Sequence, residues 1–333
     1  MPVPHQKLQA WSQKKLGVQS LALEALRVEA SQRRFYRLSD HQGHSWIATA
    51  SPPALENNEQ FLALGRLFQA HRLPVPTILE ADLALGYFLL EDLGHTHLED
   101  AYREQPDVLQ QALSQILPLQ AVRSDLIPDY DEDRMIMEFD LCAEWLLAGL
   151  AGSDLSPKDL NTLASARGLL VDSMLSQPQV CVHRDYHCRN LMLREGQLGI
   201  VDFQDALIGP ALYDAASLLR DCYYTHSEAV VGQQLATFIS LHPQMDPAQF
   251  SELKRKFDFT AIQRQIKAVG IFARLCLRDE KDQHLEHIYP VLTRVIALAR
   301  TYPQLAPLAA LLVSQQAPVF EALRERLAPE RVG

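Results

Sequence analysis

Between residues 23 and 50 apolar and polar positions alternate around a turn at Asp40 to Gly43, which predicts two or three antiparallel strands. After Ser51, Pro52 and Pro53 the period changes. Leu55, Phe61, Leu62, Leu64, Leu67 and Phe68 recur at helical spacing, so one helix is expected to about His71. Pro74 and Pro76 break that helix before two strand-like runs, Thr77 to Leu79 and Gly86 to Leu90. Glu91 to Gly94 follows as a connector. Beyond about residue 97 the strand signal vanishes, except around 180–183 and 198–202, and long helical patterns dominate. The pattern predicts an α+β chain with a small antiparallel β-sheet lobe over 1–95 and a larger, mainly helical lobe over 96–333. The hinge falls at about 88–95. No internal repeat is visible.

Composition narrows the class. The 333 residues are 47% hydrophobic and 22% charged, with no low-complexity block, which suits a globular protein with a substantial core. A formal charge of −10 argues against nucleic acid, which needs clustered, uncompensated Lys and Arg. A small-molecule substrate is expected instead, with no obligate protein partner. The N-terminal residues lack a signal-like apolar core and no window is long enough for a membrane span, so a cytoplasmic protein is expected. Five cysteines without a Cys-x-x-Cys pair fit reduced thiols.

The candidate chemistry is concentrated between 181 and 205. An apolar lead-in carries His183, Arg184 and Asp185; Asn190 follows five positions later, and a second apolar run delivers Asp202 and Phe203. This is the order and spacing of a kinase catalytic loop. Asp185 would orient or accept the proton of an attacking hydroxyl, while Asn190 and Asp202 would hold the Mg2+ that bridges the phosphates of ATP. His183, Asp185, His187 and Asp202 could instead be metallohydrolase ligands. That reading leaves Asn190 unexplained and finds no further His-rich motif.

With these motifs in place the chain resembles the aminoglycoside phosphotransferase and choline kinase branch of the bilobal protein-kinase-like fold. His187 is usual in that branch, and residues 88–94 resemble its hinge, which implies that the backbone around Glu91 and Leu93 binds adenine. The runs 182–192, 201–210 and 270–275, with Tyr213, Asp214 and 217–221, are similar to bacterial anomeric sugar kinases. The resemblance implies phosphorylation of the C1 hydroxyl of N-acetylmuramate and N-acetylglucosamine in cell-wall recycling. It also implies that Asp214 anchors the catalytic loop. The alternatives are an aminoglycoside, choline-like or other metabolite hydroxyl as acceptor, or a nucleotide-binding pseudokinase.

Two parts of the kinase pattern are missing. No lysine occurs between Lys15 and Lys158, and residues 29–37, where a glycine-rich loop would cover the nucleotide, contain no glycine. Arg33, Arg34 and Arg37 stand there instead. Arg33 or Arg34 is expected to replace the phosphate-gripping lysine, because a guanidinium meets phosphate through a donor fork; the plainer alternative makes each a surface strand residue. Glu56 and Glu59 could meet an arginine or face solvent. Asp205 could touch the sugar or a second metal, or cap a turn. Farther on, Arg264, Lys267, Arg274 and Arg278 share one helical face opposite Ile262, Ile266, Val269, Phe272 and Cys276. That stripe either faces solvent or presents Arg274 and Arg278 to an acidic substrate. Trp145 could stack on a sugar ring or belong to the core.

Overall fold

The computed structural model describes residues 4–26, 32–102, 105 and 107–328. The chain packs as two compact units, residues 1–127 with 188–206, and 128–187 with 207–333. The first unit holds α1 (Pro4–Leu16), β1 (Ala22–Ala25), β2 (Arg34–Ser39), β3 (Ser45–Ala50), α2 (Asn58–Ala70), β4 (Ile78–Asp82), β5 (Tyr87–Glu91), β6 (Thr96–His97), α3 (Leu98–Ala101) and α4 (Val108–Gln120). The second opens with α5 (Glu132–Leu141), a π-helix (Cys142–Leu150), α6 (Pro157–Leu175) and β7 (Gln179–Val182). The chain returns to the first unit for β8 (Leu191–Arg194) and β9 (Gln197–Ile200). It then completes the second with β10 (Leu207–Pro210), α7 (Tyr213–Leu219), α8 (Glu228–Leu241), α9 (Phe250–Asp279), α10 (Leu285–Ala299) and α11 (Ala306–Leu327).

In the first unit the strands form an antiparallel sheet in the order β1-β2-β3-β5-β4, as the alternation predicts. One helix was not foreseen. The largely polar α1 places Leu8 in a cluster with Leu21, Leu38, Ala48 and Leu89, and Trp11 meets Tyr87 edge-on at 5.7 Å. Asn57 caps α2 by accepting from the Gln60 N–H at 3.0 Å, and Phe61, Leu64 and Phe68 give the helix its buried face. A second sheet, β6-β8-β9, follows the main one. Beyond the runs foreseen, strands therefore also occur at β6, which ends at His97, and past it at β8 and β10, all too short to show a period. The change of pattern near residue 95 and the change of packing unit after Ile127 also fall at different places.

The second unit is built on α9, whose 30 residues extend about 45 Å. Around it α5, the π-helix, α6, α10 and α11 bury one apolar cluster that includes Phe139, Leu146, Leu170, Ile266, Val269, Leu292 and Leu312. Trp145 is half-buried against this cluster. Gly270 sets the closest helix crossing: a Cβ there would lie 2.5 Å from the carbonyl carbon of Leu141 and 2.6 Å from the nitrogen of Cys142. No other residue fits between α9 and the start of the π-helix. No helix among the described residues is long and apolar enough to cross a membrane.

Candidate active site

The catalytic loop begins where β7 ends. Strand β7 is tied to β10 by the pairing of Val182 with Leu207, and the chain then turns through Arg184 at φ 76°. A side chain in that region is strained, so the turn needs outside support. Asp214 at the start of α7 supplies it: one carboxylate oxygen accepts from the His183 N–H at 2.7 Å, the other from the Arg184 N–H at 3.1 Å. The anchoring expected of Asp214 is thus present. Burial pushes its carboxyl up to about 6, against the His183 charge and the two N–H donors.

Asp185, partly exposed beyond this turn, lies in a field of cations. Burial works against its charge, but Lys267, Arg184 and Arg264, joined by His187 once it is protonated at acid pH, outweigh that and hold the carboxyl well below its ordinary range. Arg184 itself reaches into the helices, where its guanidinium donates to Glu138 of α5 at 2.5 Å. Glu138 also accepts from the Tyr130 hydroxyl and lies 3.3 Å from the Lys267 ammonium, which is 3.4 Å from the Tyr213 hydroxyl. Burial opposes the charge on Glu138 too, and Lys267 and Arg184 again prevail. Burial pushes the His187 imidazole down to about 4, with Asp221 opposing and Arg264 adding to the shift, so the ring is neutral at pH 7.

In the first unit the Val201 N–H donates to the Asn190 carbonyl at 3.0 Å, which sets the two candidate metal ligands on adjoining segments. Asp202 is exposed in a left-handed conformation, φ 62°, and Phe203 is buried beneath it against Phe61 at 5.3 Å and Phe68 at 5.8 Å. An amide oxygen and an outward carboxylate are hard donors of the kind Mg2+ takes when phosphates complete its shell. No group of three or more His, Cys, Asp or Glu forms a metal cage among the described residues. Asp205 is exposed at the end of the short turn Phe203–Asp205.

Residues 22–250 match the phosphotransferase enzyme family (APH). The chain belongs to this family. An N-acetylmuramate/N-acetylglucosamine kinase of Neisseria meningitidis is 35% identical over 317 residues, covering 92% of this chain and 94% of that protein. A Pseudomonas aeruginosa protein of the same name is 37% identical over 297 residues, 86% of each. Among solved structures, a choline/ethanolamine kinase family protein from Mesorhizobium loti aligns with a TM-score of 0.66 at 14% identity, over 93% of this chain and 99% of that one. The ADP-bound aminoglycoside phosphotransferase APH(2'')-Ib gives 0.61 at 12%, over 92% and 98%. These two establish the fold: a kinase-like antiparallel sheet with a larger helical part.

Against this family pattern the arginines of the small sheet divide. Arg33 is 3% exposed, with its Nε on the Ser51 hydroxyl at 3.2 Å, its Nη2 3.4 Å from Glu56 and its guanidinium over the Phe61 ring. Arg33 is therefore an interior residue, not a surface one, and Glu56 does meet an arginine. Arg37 is also inside: it donates to both Asp92 oxygens at 2.7 and 3.1 Å and to the Gly94 carbonyl at 2.5 Å, so it clamps the hinge. Arg34 remains exposed. Residues 29–31, part of the glycine-free stretch, lie outside the described residues. In the hinge, Glu91 bonds Thr77 through its side chain and through its N–H, and Leu93 packs so closely on β9 that a Cβ at Gly199 would be 2.6 Å from its Cδ1.

The basic stripe does not behave as one face. Arg264 and Lys267 are each 5% exposed, whereas Arg278 is exposed on the last turn of α9 and pairs with its neighbour Asp279 at 2.7 Å. Arg274 lies half-buried between them. Glu138 escaped the sequence reading entirely. The signal was present: it occupies an apolar position of α5, three residues after buried Met135 and one before buried Phe139.

Proposed function

We propose that this protein transfers the γ-phosphoryl group of ATP to the anomeric C1 hydroxyl of N-acetylmuramate and of N-acetylglucosamine, in the cytoplasm, as a step of cell-wall recycling. The observation that carries this reading is the 35% identity to a kinase of that name over more than nine-tenths of both chains. Asp185 accepts a hydrogen bond from the C1 hydroxyl and orients it as the hydroxyl oxygen forms a bond to the γ-phosphorus and the bond to ADP breaks, the proton passing to the carboxylate or to an oxygen of the transferred phosphoryl group. Its depressed pKa suits an orienting, charged carboxylate rather than a strong base. Mg2+, held by Asn190 and Asp202, would neutralise charge on the phosphates.

Adenine would lie against the hinge. The backbone N–H and carbonyl of Leu93 make no hydrogen bond to another described residue, which leaves one donor and one acceptor side by side for a base. Among the small-sheet arginines, exposed Arg34 is the one we assign to a phosphate, with buried Arg33 behind it as support. Half-buried Arg274 is the better candidate of the stripe for the lactyl carboxylate, and Asp205 for a sugar hydroxyl.

A panel of acceptors tests the reading. With Mg-ATP, N-acetylmuramate and N-acetylglucosamine should be phosphorylated and their methyl glycosides should not, while Asp185→Asn should lower turnover at least about a hundredfold with ATP still bound. Equal transfer to the glycosides would overturn the anomeric assignment. Preference for a kanamycin-like acceptor or choline would overturn the sugar assignment, and ATP binding without transfer to any acceptor would leave a nucleotide-binding module.

A further inference from the structure

The helical unit contains a buried charge cluster that the phosphotransfer reading does not use. Glu138 of α5 takes the Arg184 guanidinium at 2.5 Å, the Lys267 ammonium at 3.3 Å and the Tyr130 hydroxyl. Lys267 has only 6% of its side chain exposed and Glu138 5%. The two tyrosines close the cluster: Tyr130 and Tyr213 meet edge-on at 5.5 Å, Arg184 lies over the first ring and Lys267 over the second. One turn before Lys267 on the same helix, Arg264 is 5% exposed, with the Cys222 sulfur 3.7 Å from its Nη1 and no ion pair to a carboxylate among the described residues.

As a strut between α5 and α9 this arrangement is poor, since apolar side chains of the same volume hold helices together at least as well as a buried ion pair. Its placement explains it better. Arg184 is the residue immediately before Asp185, so Glu138 joins Lys267 to the backbone that carries the catalytic carboxylate. Glu138 is thus shared by two buried cations, Arg184 and Lys267, while Arg264 lies nearer the buried carboxylate Asp221 and Asp185.

We propose that Lys267 is a positioning residue for phosphoryl transfer: anchored on Glu138, its ammonium supplies the positive field in which the Asp185 carboxylate stays charged and oriented. The inference rests on the kinase reading for its catalytic meaning. Every element packed around the loop contributes to the field: α5 gives Glu138, α9 gives Arg264 and Lys267, α7 gives Asp214, the segment after α7 gives Asp221, and the loop itself has His183, Arg184 and His187. Lys267, like adjacent Arg184, favours the charged form of Asp185.

The test compares Lys267→Met, Lys267→Arg and the double variant Glu138→Gln with Lys267→Met, which removes one charge of each sign and leaves the net charge unchanged. Removing the ammonium should raise the Asp185 pKa, so the acid limb of the rate profile should move to higher pH by about one unit or more. Turnover should fall about tenfold, with KM for ATP nearly unchanged. The arginine variant should recover most of the rate. A carboxylate 13C titration, with Asp185 assigned through Asp185→Asn, reads the same shift without any acceptor, so it stands even if the sugar assignment fails. The proposal is overturned if the folded methionine or double variant titrates Asp185 and turns over as the unaltered chain does, or if arginine and methionine lose activity equally.

Discussion

The two units treat buried charge differently. In the first, Arg33 and Arg37 act as clamps, each fastening one short segment: Arg33 joins Ser51 and Glu56, and Arg37 joins Asp92 and Gly94. In the second, several donors converge on the single carboxylate of Glu138. A clamp fixes where backbone runs, and its loss is local. A convergent cluster sets an electrostatic field, and losing its shared acceptor takes an ion pair from Arg184 and Lys267 together.

The largest effect should therefore separate the two acceptors. Glu138→Ala removes the carboxylate that buried Arg184 and Lys267 share and should cost about 3–5 kcal/mol. Asp92→Ala removes charge-assisted bonds to Arg37 and should cost about 1.5–3 kcal/mol, lodged in the hinge. Chemical denaturation measures both; an equal or reversed order would break the contrast.

A pH test sharpens it next. His187 is held neutral in the fold, with its pKa pushed down to about 4. Between about pH 6.5 and 4 the unfolded chain takes up a proton at this ring that the folded chain refuses, so stability from His187 is lost as pH falls. Asp214 works oppositely in part of that window, because its raised pKa lets the folded state bind a proton first. The stability of His187→Gln minus that of the unaltered chain should accordingly rise by about 3 kcal/mol between pH 6.5 and 4. A difference independent of pH would mean that the loop does not exclude imidazolium.

The smallest effect belongs to the exposed end of α9. Arg278→Ala should change stability by no more than about 0.5 kcal/mol and leave the rate ratio of the two sugars unaltered. A selective loss with N-acetylmuramate would show that the exposed arginine reaches the acceptor and that the stripe works as a whole.

The family was legible from sequence because Asp185, Asn190 and Asp202 stand in the order and spacing of a kinase catalytic loop on a short stretch of chain. The five-stranded sheet and α2 were legible from their periods. What escaped has a common cause: it depends on partners distant in sequence. The spacing of Arg264 and Lys267 showed that they share a face with Arg274 and Arg278, but only α5 decides that the first two are covered. The burial of Arg33 and Arg37 escaped because Asp92, and the choice of Glu56 over Glu59, have no local signature. Helix α1 escaped because it buries little beyond Leu8 and Ser12, and the π-helix because its sequence is as apolar as an ordinary core helix.

Gly270 gives these distant pairings a mechanical basis. It touches the backbone of Leu141 and Cys142, while Lys267 stands three residues before Gly270 just as Glu138 stands three before Leu141. The crossing thus works like the pin of a slide rule: one missing methyl group stops the two helices at the setting where ammonium and carboxylate meet. Any side chain at 270 would shift the scale without touching a charged atom, so a residue with no chemistry of its own calibrates those that have it.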